Sequence, residues 1–141
     1  MPFIRKLTTV CMALTLLASL PPMYGAFAAS KVVTARVDRQ GDGYVWSMQS
    51  PIKIGLVQVS LLLKDEKGKP LVGREISGSI RMPTMPMEGY PAELAFNEDK
   101  DGRYLALVQY PHGGYWEITA TVADEQGRKH TQTFGFDLPM D

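Results

Sequence analysis

The sequence predicts an all-β fold: an immunoglobulin-like antiparallel β-sandwich of about seven or eight strands, preceded by a signal peptide. Three observations predict it. After Ser30 apolar and polar residues alternate by two over run after run. No stretch there sustains a 3.6-residue apolar period. Turn clusters closed by glycine recur between the runs, which is the spacing of short strands with one polar face each, stacked as two sheets.

The N-terminus comes first. Arg5 and Lys6 precede an apolar run from Leu7 to Leu20, Pro21-Pro22 ends it, and Ala26-Phe27-Ala28-Ala29 follows with small residues one apart. A charged start, an apolar stretch of about 14 residues and such a cleavage site make a secretory signal peptide, 1–28. A spanning helix needs about 20 apolar residues, so no stable membrane anchor is expected after cleavage. Cys11 lies within the apolar run without a small-residue lipobox, which argues against a lipid anchor on it. Cleavage leaves a single domain, 29–141, with no cysteine and a net charge of −2. Such a chain is held by its core, and its length suffices for one.

The strands follow in order. Tyr44, Trp46 and Met48 share one parity; Val57, Val59, Leu61 and Leu63 form the next run. Ile76 and Ile80 alternate with Ser77, Ser79 and Arg81, and Ala92, Leu94 and Phe96 repeat the rule. Tyr104–Tyr110 and Trp116–Val122 are the clearest runs, and a last strand is expected over Arg128–Phe136. Lys64–Pro70, Asn97–Gly102 and Asp124–Gly127 are the turns, each with a glycine that adopts positive φ without steric cost.

The composition excludes several function classes. Fifteen Lys plus Arg balance fifteen Asp plus Glu, and without a basic excess or run nucleic-acid binding is not expected. The mature chain has no Cys nucleophile, and neither His112 nor His130 sits in a recognisable Ser/His/Asp pattern. Asp65-Glu66 and Glu98-Asp99-Asp101 read as solvated hairpin tips rather than catalytic pairs, and no glycine-rich phosphate motif follows a strand. The chain is therefore read as a non-enzyme.

One segment breaks the pattern. Arg81 to Pro91 holds Pro83, Pro86 and Pro91, which remove three backbone donors and rule out a central strand. It also holds Met82, Met85 and Met87. Thioethers are soft, neutral ligands that favour Cu(I), and imidazole from His112, in the loop Tyr110–Gly114, is the natural additional ligand. In polyproline II, Met82 and Met85 would face one way about 9 Å apart; in an extended strand Met85 and Met87 would share a face at about 6.6 Å. Met82 continues the parity of Ile76 and Ile80 and points to the core, so Met85 and Met87 are the better exposed ligands. The competing reading is structural: methionine fills irregular gaps, and a Met/Pro-rich crossover could plug one end of a sandwich. His130, in a strand, reads as a surface residue without a role. A third reading makes the segment a docking edge for a protein partner through Pro83, Pro86 and Tyr90, with no metal.

Four pieces in order carry a family resemblance: Lys67-Gly68-Lys69-Pro70-Leu71-Val72-Gly73, Met82-Pro83-Thr84-Met85-Pro86-Met87, Asp101-Gly102-Arg103-Tyr104 and Gly113-Gly114-Tyr115-Trp116-Glu117-Ile118. Together they resemble the YtkA-like domain, itself similar to the FixH family, over Ile54 to Phe136. The resemblance implies a small periplasmic β-sandwich. It also implies a link to copper supply for a respiratory oxidase or to metal-efflux components, one of which would be the partner. FixH-like proteins keep a membrane anchor, whereas this N-terminus reads as cleavable. The leading expectation is a soluble metal-handling protein that holds Cu(I) through Met82, Met85, Met87 and His112.

Overall fold

A computed structural model describes residues 32–140. The expected signal peptide, with Cys11 and the Ala26–Ala29 site, lies outside the described residues. Nine strands form two sheets: β1 (Thr34–Gly41), β2 (Tyr44–Pro51), β3 (Gly55–Asp65), β4 (Ile76–Arg81), β5 (Ala92–Ala95), β6 (Asn97–Glu98), β7 (Tyr104–Tyr110), β8 (Gly114–Ala123) and β9 (Lys129–Leu138). One sheet runs β1-β2-β3-β7-β6 and the other β5-β4-β8-β9. Every pairing is antiparallel. The expected all-β sandwich is the observed one, with nine strands rather than seven or eight.

The inward parity supplies the core. Val57, Val59, Leu61 and Leu63 of β3 face Trp116, Ile118, Ala120 and Val122 of β8 across the sandwich, with Trp46, Tyr104, Tyr110, Phe134 and Phe136 filling the space between the sheets. Ser50, fully buried, shares a 2.8 Å hydrogen bond with the Tyr110 hydroxyl, so both buried oxygens are satisfied.

Three strands depart from the expected pattern. β1 is an edge strand whose Arg36 and Asp38 pair with each other in solvent, and only Ala35 and Val37 touch the core. β6 takes two residues out of the expected turn Asn97–Gly102. The chain changes sheets at Phe96, which the sequence reading placed within a strand. Its ring lies under Gly78, where a Cβ would stand 2.7 Å from Phe96 Cε2 and 2.6 Å from the Thr119 carbonyl oxygen. Only glycine leaves room for that crossing. The last strand is β9, shifted to Lys129–Leu138 from the expected Arg128–Phe136.

The two ends of the sandwich differ. At one, the turn end, Asp65, Asp99 and Asp124 close three connections in the same way. Each aspartate Oδ1 accepts the backbone N–H groups two and four residues on, at 2.8–3.0 Å. Gly68, Gly102 and Gly127 take φ near +80° three residues after each aspartate. The β1–β2 hairpin also turns here, through Asp42 and Gly43, both at positive φ. At the other, the loop end, lie Ile52–Ile54, the segment 82–91, Pro111–Gly113 and the residues after β9.

Candidate metal centre at the loop end

The methionine segment is neither polyproline II nor extended strand. Met85 N–H donates to the Met82 carbonyl at 3.3 Å, and Tyr90 N–H donates to the Met87 carbonyl at 3.2 Å. Two turns therefore follow one another, 82–85 and 87–90, joined at Pro86. Pro83 sits second in the first turn, where its fixed φ suits the bend, and Gly89 third in the second at φ 82°. The spacings expected for extended backbone do not apply, because each turn reverses the chain.

The turns grade the three sulfurs by depth. Met82 is 8% exposed and belongs to the core, as its parity predicts. Met85 is 53% exposed. Met87 is half-buried against the core, a correction to its expected exposure. With Pro83, Pro86 and Tyr90 these side chains line a shallow depression.

Trp116 binds this segment to the His112 loop. Fully buried at the start of β8, it meets the Tyr90 ring at 5.4 Å, the His112 ring at 5.4 Å and the Tyr110 ring at 6.0 Å, all tilted. Its indole N–H donates to the His112 carbonyl at 3.1 Å. Tyr90 donates its hydroxyl proton to the Gln109 carbonyl at 3.0 Å. Tyr90 is thus a half-buried strut tying the segment to β7, whereas Pro83 and Pro86 are exposed.

His112 is set by its own loop. Its Nδ1 lies 2.7 Å from the Gly113 carbonyl oxygen, which can only accept, so Nδ1 carries the proton. In the neutral ring Nε2 then keeps its lone pair, the tautomer a metal-ligating histidine needs. Gly114, at φ 123°, faces the tip of Met82: a Cβ there would stand 2.5 Å from Met82 Cε. The fold therefore brings Met82, Met85, Met87 and His112 to one end, at three depths. Among the described residues no group of three or more His, Cys, Asp or Glu side chains is arranged to hold a metal ion. A metal at this end would depend on thioether sulfur.

A second polar cluster lies at the turn end, where sequence reasoning gave His130 no role. Its side chain is only 16% exposed. Nε2 lies 2.9 Å from Asp124 Oδ2 and Nδ1 lies 3.5 Å from Asp42 Oδ2, while the ring meets Tyr44 edge-on at 4.9 Å. The Asp124 hydrogen bond, with that of Asp42, raises the His130 pKa against the opposing effect of burial. The same bond, with those from Arg128 and Gln126, holds Asp124 down at about 2. The sequence signal was available: His130 has the inward parity of Phe134 and Phe136.

A family model for FixH matches residues 29–133. The chain belongs to the FixH family. Solved structures agree on the sandwich. A DUF4426 family protein from Pseudomonas aeruginosa PAO1 superposes with a TM-score of 0.55 at 12% identity, covering 75% of this chain and 96% of that one. FetP from uropathogenic E. coli strain F11, expressed in the periplasm of E. coli, superposes with a TM-score of 0.52 at 10% identity, covering 74% and 95%. No curated protein matches this FixH-family chain in sequence.

Proposed function

We propose that this FixH-family protein is an exported, non-enzymatic carrier of Cu(I), holding the ion at the loop end through Met85 and Met87, with Met82 and His112 as further ligands. The observation that carries the reading is the meeting of the methionine turns and a correctly tautomerised His112 on Trp116. Thioether donors favour a soft ion such as Cu(I), and imidazole is also a suitable copper ligand. A neutral sulfur needs no deprotonation, so binding through Met85 and Met87 releases no proton. The partner receiving the ion is a metal-efflux or respiratory-oxidase assembly component.

Titration of the mature protein with Cu(I) against a competing chelator tests this. The wild type is expected to compete, and a Met85→Leu/Met87→Leu variant to lose affinity by more than the order of 10–100-fold that losing a ligand's outer partner costs. Equal affinity in the two proteins removes Met85 and Met87 as ligands.

One observation favours a second reading, a metal-free docking surface using Pro83, Pro86 and Tyr90. Among the described residues, seven of the nine most exposed large apolar side chains, including Val33, Ile54, Leu56 and Met85, lie at or beside the loop end. A partner captured from envelope extract that survives chelation, with no metal in the purified protein, would select this alternative.

A further inference from the structure

Met82, Met85 and Met87 come from one segment, but the fold delivers another methionine to the same end. Of the five methionines after residue 31, Met48 is fully buried in β2, Met82, Met85 and Met87 belong to the turns, and Met140 follows β9. β9 pairs Leu138 with Gly114, so the chain leaves the sheet beside the His112 loop. Pro139 and Met140 then cross Gly113. A Cβ on Gly113 would stand 2.9 Å from Met140 Cα, and it would collide with the Pro139 carbonyl. Gly113 is buried and is not among the glycines at positive φ. Its lack of a side chain serves close approach, not backbone torsion.

The two adjacent glycines therefore seat two methionines. Gly114 receives the tip of Met82 and Gly113 receives the backbone of Met140, while the Gly113 carbonyl fixes the His112 ring. Met140 is 81% exposed, so its thioether is free to swing on a three-bond stem. We propose that Met140 supplies a further thioether to the Cu(I) site, closing it from the segment after β9. The inference rests on the Cu(I) reading, which does not itself require Met140. No bond is made or broken beyond metal coordination, and no proton is released by the sulfur.

The test uses the whole exported protein labelled with 13C at the methionine methyl groups, titrated with Ag(I) as a redox-inert soft monovalent ion. The methyl resonances of Met85, Met87 and Met140 are expected to shift together while that of Met48 stays. In the chelator competition Met140→Leu is expected to weaken Cu(I) binding by on the order of tenfold. This substitution touches an exposed side chain, so a folded variant is expected and circular dichroism checks it. If the Met85 and Met87 methyls shift, the Met140 methyl does not and Met140→Leu binds like wild type, the inference is overturned and the Cu(I) reading stands. If no methyl shifts and the wild type does not compete for Cu(I), both fall.

Discussion

At the scale of single residues, the fold depends on side chains that are missing as much as on those present. Gly78 admits Phe96, Gly113 admits Pro139 and Met140, and Gly114 admits Met82. The Gly114 site combines positive φ with a close neighbour, so Gly114→Ala meets backbone strain and a clash together. It is expected to destabilise the fold by about 1–3 kcal/mol, the range for overpacking a well-filled site. Urea denaturation gives the value, and an unchanged midpoint would show that Met82 yields freely. None of these contacts can be read from the chain, because a glycine in a strand pattern signals only that something approaches closely.

At the scale of elements, the three Asp-to-Gly turns show how local chemistry fixes a connection. In each, one carboxylate oxygen accepts two backbone N–H groups that the turn would otherwise leave to solvent. Asp65→Ala and Asp99→Ala are each expected to cost about 1 kcal/mol, the net worth of a typical hydrogen bond. Asp124→Ala is expected to cost more, because it also deprives His130 and Arg128 of a partner. Equal losses for all three, measured by chemical denaturation, would show that the His130 contact adds nothing. These turns were legible in the sequence because their determinants are local. The methionine turns were not, since Pro83, Pro86 and Gly89 are compatible with both an extended ridge and tandem bends.

At the scale of the whole molecule, His130 joins the two sheets at the turn end. Asp42 comes from the β1–β2 hairpin, and Asp124 with Arg128 from the β8–β9 turn. Tyr44, Arg74 and Glu125 complete the surroundings. Because the folded pKa of His130 is raised above 6.5, its contribution to stability is full below that value and is lost as pH rises through the folded pKa. Asp124 runs the other way. Its folded pKa of about 2 against an ordinary 3.8 gives a contribution that is present above 3.8 and lost as pH falls toward 2. Stability from this cluster is therefore greatest between about pH 4 and 6.5. Thermal unfolding at pH 5.5 and 8.5 is expected to show a lower midpoint at the higher pH. His130→Ala is expected to reduce that difference, and a variant as pH-dependent as wild type would assign the effect elsewhere.

Composition and period alone yield the fold class, the inward face of six strands and the positions of the three Asp-to-Gly turns. Each of these follows from a period of two or from chemistry within five residues. They also single out Met82, Met85, Met87 and His112, because sulfur clustered on proline-rich backbone is visible as composition. Tertiary structure alone decided what shares an end with what. It brought the β4–β5 connection, the β7–β8 loop and the residues after β9 together on Trp116 and the Gly113-Gly114 pair. It also set the depth of each sulfur and folded His130 between two carboxylates. The physical reason is that sheet pairing joins segments by hydrogen-bond register across large sequence separations. Which side chains become neighbours is then settled by strand order and packing rather than by spacing along the chain.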